Sequence, residues 1–226
     1  MTDAHDPDDW AALTEARLLD AALPLSGELG WSPRLVVRAA KAVGLSPAEA
    51  ELLLPGGPRD LIALLSRRHD QAALAALSDV DPASLRVRDR IRCGVEARVD
   101  AAMADETASR RAAGFLALPS NAPLGARLVW ASADSLWRWA GDVSADENHY
   151  SKRALLAGLL GSTLAVRLSA SNAAAKEHLE RGIEAVMAFE RAKARFRSDD
   201  LATRAVEALA RLRYGRRAEG SGATPA

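Results

Sequence analysis

Cysteine is almost missing from this sequence: Cys93 is the single thiol in 226 residues, which excludes an intramolecular disulfide framework and any zinc site built on several cysteines. Set in an Arg-rich helical pattern, it reads as a buried spectator rather than a reactive group. Aromatic residues make up 4% of the chain, and the β-branched and Tyr/Phe clusters of sheet proteins are absent, so strands are not expected. Net charge is missing too. Thirty Lys and Arg balance thirty Asp and Glu, and overall charge gives no case for a nucleic-acid partner. The longest uncharged run free of proline, Ala154 to Val166, has thirteen residues, against the roughly twenty needed to span a bilayer. No Gly-rich phosphate loop, HExxH, cysteine pair or nucleophile elbow occurs. His5, His69, His149 and His178 lack ligand spacing, and Asp142, Asp146 and His149 read as a solvated turn rather than a metal site. Neither catalytic residues nor a cofactor nor a metal are expected, and the chain is read as non-enzymatic.

What is present is Ala, Leu and Arg in helical register. At 226 residues the chain can bury a core of its own, and the composition predicts an all-α bundle of about nine to ten helices. Residues 1–9, with Asp3, Asp6, Asp8 and Asp9, read as a disordered acidic tail unlike a secretory or transit leader. Residues 10–58 hold three helices. The first ends near Ser26-Gly27 and Gly30, Ser32-Pro33 opens the second, Gly44 closes it, and Ser46-Pro47-Ala48-Glu49 is a capping box for the third. Residues 59–197 form the helical body, 198–214 a C-terminal amphipathic helix, and 215–226 a Gly/Ser/Ala tail. Within the body, the run from Ala83 to Met103 sets five arginines among Leu85, Val87, Ile91, Val95 and Val99, which predicts a solvated, Arg-laced face.

Three short helices with a tight Gly turn are the helix-turn-helix layout. The spacing from Arg17-Leu-Leu-Asp through Gly30-Trp31-Ser32 and Ala39 to Ser46, on to Arg59-Asp60-Leu61, resembles the amino-terminal domain of TetR-type regulators. The reading surface departs from that pattern. Residues 46–54 carry Glu49 and Glu51 and no Lys or Arg, and residues 1–70 hold seven basic against eleven acidic side chains. Phosphate neutralisation supplies nearly all non-specific DNA affinity, so DNA is not expected as a partner and the unit is read as scaffold, with a ligand-responsive TetR-type repressor as the rival reading.

The segment dense in aromatic, amide and charged residues is Trp137 to Arg153. Before it, Trp130, Asp134, Trp137 and Gly141 share one helix face. A carboxylate between indoles needs a partner, either a donor from the next helix or a polar ligand head group. After it, Leu155, Leu159 and other leucines surround Gly158 and Gly161, which fits close helix packing or a cavity wall. Met187 points inward from the following helix. The candidate lipid-cavity residues are thus Trp130, Asp134, Trp137, Leu155, Gly158, Leu159 and Met187. In the C-terminal helix Leu201, Leu209 and Leu212 oppose Arg204 and Arg211, and residues 181–217 hold ten basic against five acidic residues. That pattern suits an anionic membrane surface, or equally packing on the body.

Asn121, Pro123, Asp134, Trp137, Ala140-Gly141-Asp142, Ser144, Asp146, Asn148, Tyr150, Arg153 and Ala154-Leu155 together resemble the signature of the coenzyme Q (ubiquinone) biosynthesis accessory family, the ninth protein of the Coq set. The resemblance implies a TetR-like homodimer without DNA binding. It implies lipid or isoprenoid quinone precursors in an apolar cavity, docking of the C-terminal helix on a membrane, and presentation of substrate to the di-iron demethoxyubiquinone hydroxylase. It further implies a partner patch at Leu136, His149, Tyr150 and Arg153 with Asp146 beside it, although eukaryotic relatives have Trp in place of His149 and Met in place of Leu136. A protein of the bacterial cytoplasm, peripherally associated with the inner membrane, is the corresponding expectation.

Overall fold

The computed structural model describes residues 7–141 and 147–197, with side chains described for 10–141 and 150–188. These residues are helical and contain no strand. The helices are α1 Pro7–Ala22, α2 Ser26–Leu29, α3 Pro33–Ala42, α4 Pro47–Leu53, α5 Pro58–Ala76, α6 Val87–Ala104, α7 Glu106–Leu116, α8 Ala122–Trp139, α9 Glu147–Ser169 and α10 Asn172–Arg197. No helix among the described residues is long and apolar enough to cross a membrane. The expected C-terminal helix 198–214, with Leu201, Arg204, Leu209, Arg211 and Leu212, and the tail 215–226 lie outside the described residues.

Local chemistry sets the boundaries. Ser32 accepts a hydrogen bond from Leu35 N at 3.3 Å, with Pro33 at the first helical position of α3. Gly44 adopts φ +81°, the left-handed conformation that lets the chain leave α3. Ser46 and Glu49 then form the expected reciprocal capping box of α4. Other boundaries moved. α1 begins at Pro7, inside the stretch expected to be a tail. Asp81-Pro82 caps only a short 3-10 turn, because extended backbone at Leu85 and Arg86 delays α6 to Val87. α7 starts at Glu106, six residues before the apolar run that marked it in the sequence. α9 starts at Glu147, so the polar stretch up to Arg153 is its first two turns rather than a loop.

The described residues up to Ile183 form one compact unit, and those from Glu184 belong to a second. In the first, Leu18, Leu19, Leu35, Leu61, Ile62 and Leu65 are at most 2% exposed, and Ala108 and Ala112 of α7 join the same cluster. The N-terminal helices and the body therefore share one core. Trp31, 5% exposed, crosses between them and donates its Nε1–H to Ala108 O at 3.0 Å. Asn121 makes a second tie: it accepts from Arg59 Nε at 3.0 Å and donates to Phe115 O at 3.1 Å, holding the α7–α8 turn against the start of α5.

Candidate functional site

The face shared by Trp130, Asp134 and Trp137 meets the first turns of α9. Trp130 and Tyr150 stack with ring centroids 6.4 Å apart. Trp137 donates its indole N–H to Lys152 O at 3.0 Å, and the Lys152 ammonium lies 5.7 Å from its ring centroid. Asp134 accepts from the Arg153 guanidinium on one oxygen and pairs with Arg138 through the other at 2.6 Å. The Arg153 side chain is 3% exposed. A cation so deeply buried requires a paired carboxylate. Of the two readings of Asp134, a donor on the next helix is the one the geometry provides.

The partner patch expected at Leu136, Asp146, His149, Tyr150 and Arg153 is split by burial. Leu136 is 4% exposed and packs over Gly94, and Arg153 is 2% exposed. Neither presents surface in this chain, because one fills the α6–α8 interface and the other is drawn in by Asp134. Tyr150 is 66% exposed. Asp146 and the side chain of His149 lie outside the described residues.

A cavity of about 370 Å³ opens instead among α5, α6, α7, α8 and α9. Its floor is apolar, built from Ile62, Leu65, Ala102, Leu128, Leu160 and Leu164, and its rim carries exposed alanines, among them Ala113, Ala126 and Ala165. The expected cavity residues Trp130, Asp134, Trp137, Leu155, Gly158 and Leu159 are not part of this lining. They sit on the same two helices but on other faces. Gly158 is exposed with open space around it, while Leu159 packs into the space left by Gly182, where a Cβ would run into Leu159 Cδ1. Gly161 does line the cavity, beside Val129. Met187 belongs to the second unit.

The cavity also has a polar strip that was not foreseen. Arg98 of α6 is 6% exposed. Its Nε donates to Asp70 Oδ1 at 2.5 Å, and the same oxygen accepts from Ser132 Oγ at 2.6 Å. The expectation of a solvated, Arg-laced α6 is thereby corrected at Arg98, and also at Arg90, which donates to Ala140 O at 2.8 Å, and at Arg92, which pairs with Glu180. The signal was in the register: Arg98 follows Ile91 by seven and Val95 by three residues and precedes Ala102 by four, which is the core stripe of the helix.

His69, 4% exposed, sets its Nε2 3.0 Å from Asp105 Oδ2. Burial, with the Arg98 charge adding to it, holds the ring below its ordinary pKa, against the opposing pull of Asp105 and Asp70. The imidazole is accordingly neutral near pH 7 and donates Nε2–H to Asp105. In the unfolded chain His69 takes up a proton below about pH 6.5. The stability that the neutral ring contributes is therefore complete above that pH, and it is lost as pH falls from there towards the lowered folded value. We expect the urea midpoint to fall between about pH 7.5 and about pH 5.5, and to fall less in His69→Gln; equal slopes in the two proteins would contradict it.

The COQ9 family model matches residues 122–190, that is, α8, α9 and most of α10. The chain is similar to the mitochondrial ubiquinone biosynthesis protein COQ9-B of Xenopus laevis, 31% identical over 169 residues that cover 70% of this chain and 56% of the relative. It is similar as well to the COQ9 proteins of Xenopus tropicalis, 29% identical over 164 residues, 70% of this chain and 52% of the relative, and of Homo sapiens, 28% identical over 162 residues, 69% of this chain and 51% of the relative. The chain spans about half the length of the curated relatives it matches.

Proposed function

Because the chain belongs to the COQ9 family, we propose that it serves ubiquinone biosynthesis as a non-enzymatic lipid-binding accessory protein. It holds the apolar part of an isoprenoid quinone intermediate or a phospholipid in the α5–α9 cavity and presents it at a membrane surface to a hydroxylase. The observation that carries this reading is the cavity itself, an apolar space of about 370 Å³ with an open, alanine-rimmed mouth. Its volume falls in the range of ligand sites, and apolar walls are favourable for a hydrocarbon chain in proportion to the area removed from water. The membrane part of the reading rests on the amphipathic sequence of residues 198–214, and the hydroxylase part on the family. A TetR-type repressor is disfavoured by the face it would use: α4 presents Glu49, Glu51 and the 80% exposed Leu52, which offer nothing to phosphate.

The test is native mass spectrometry of protein purified without detergent. A bound polyprenyl or phospholipid species is expected, and Leu164→Trp, which fills the cavity from a half-buried lining position, should weaken its retention at least about tenfold with little change in thermal stability. Ligand-free wild-type protein, or ligand held equally by Leu164→Trp, would sink the reading.

A further inference from the structure

The polar strip of the cavity consists of Ser66, His69, Arg98, Ser109 and Ser132. Nearly all of it is satisfied from within the protein. Ser109 Oγ donates to Ala102 O at 2.7 Å, Ser132 donates to Asp70, and His69 faces Asp105. Arg98 is different. Its side chain is 7% exposed; Nε is committed to Asp70, and Nη2 donates to Ser66 Oγ at 3.2 Å. Nη1 is buried and has no hydrogen-bond partner among the described residues. A buried guanidinium N–H without an acceptor is costly and uncommon in native structures, and this one belongs to a side chain in the polar strip of the cavity lining.

We propose that Arg98 is the head-group recognition residue of this cavity, its Nη1 donating to a neutral oxygen acceptor, such as a ring ketone or ester carbonyl, on an otherwise apolar ligand. This inference rests on the lipid-holding reading above and narrows its ligand class. The preference for a neutral acceptor follows from the charges around it. The Arg98 cation is already balanced by Asp70, and the other polar residues of the strip, three serines and His69, supply no further cation at neutral pH. A carboxylate or phosphate head would enter a poorly solvated site without a free countercharge, whereas a carbonyl takes the hydrogen bond and adds no charge. Ser132 and Ser66, each already engaged with the Asp70–Arg98 pair, hold the guanidinium plane in place.

Calorimetric titration of the delipidated full chain with three probes sharing one farnesyl tail tests it: farnesyl-benzoquinone, farnesylbenzene and 4-farnesylbenzoate. The quinone should bind about tenfold or more tighter than the hydrocarbon, with the benzoate weaker than the quinone. In the double variant Arg98→Met/Asp70→Leu, which removes the buried pair as a unit, the hydrocarbon should bind as in wild type and the quinone advantage should fall to about onefold. Arg98→Lys keeps a cation for Asp70 without the Nη1 arm and should lose the same advantage. Equal binding of quinone and hydrocarbon by wild type, or an advantage that survives in either variant, overturns the assignment while leaving a lipid cavity intact. A benzoate that binds more tightly than the quinone overturns the neutral-acceptor class. Failure of all three probes to bind overturns the lipid-holding reading itself.

Discussion

Asp70→Ala is expected to lower the stability of the chain by about 3–5 kcal/mol, because it removes the carboxylate that pairs with the Arg98 guanidinium while leaving that cation inside. The pair is largely buried: the Arg98 side chain is 7% and the Asp70 side chain 13% exposed. Ser132 loses its acceptor in the same step. For a chain of this size the loss corresponds to a drop in Tm on the order of 10 °C. The pair is not thereby a strong net stabiliser. Desolvation of two charges offsets most of their attraction, so Arg98→Met/Asp70→Leu should lie within about 1–2 kcal/mol of wild type. Urea denaturation of the two singles and the double gives the coupling directly. A loss below about 1 kcal/mol in Asp70→Ala would show that Arg98 swings out to solvent, which its position in the α6 core stripe does not allow.

Trp31→Ala should cost a comparable ~3–5 kcal/mol. The indole is 5% exposed at the junction between the N-terminal helices and α7, and it both packs in the shared core and donates to Ala108 O. Trp31→Phe separates the two contributions, since it keeps most of the apolar surface and loses the hydrogen bond, for an expected loss of roughly 1–2 kcal/mol. Circular dichroism across a urea titration reads both variants, and limited proteolysis should show α1 to α4 and the body of Trp31→Ala becoming susceptible together. A helix-turn-helix unit that were an independent module would lose its protease resistance without any change in the body. A shared core instead predicts that both lose stability together, and that outcome decides between the two arrangements.

The α3–α4 turn was legible in the sequence because its determinants are local: Ser32-Pro33, Gly44 and the Ser46/Glu49 capping box specify their own backbone within four residues. The shared face of Trp130, Asp134 and Trp137 was legible for the same reason, through helical period alone. The partners of that face were not. Arg153 stands nineteen residues from Asp134, and periodicity cannot say whether a carboxylate will meet a ligand or a neighbouring helix. The expected cavity residues illustrate the limit most plainly. They stand on α8 and α9, and the cavity is lined by other residues of the same two helices, Leu128, Val129, Ser132, Leu160, Gly161 and Leu164. A helix that touches neighbours on several sides has more than one buried stripe, and its moment does not tell which stripe borders an empty space.

By itself the sequence determined the helical class, the caps and turns of the N-terminal unit, and, through the residues from Asn121 to Leu155, the family resemblance, since each of these is written in short-range spacing. Only the tertiary structure decided that the body and the N-terminal helices share one core, that Leu136 and Arg153 turn inward, and that Arg98, Asp70, Ser132 and His69 meet at the wall of one cavity. Those outcomes depend on pairs separated by 19 to 77 positions in the chain, where the energy of desolvating a charge or packing an indole is settled by which helices are neighbours and by nothing local to either residue.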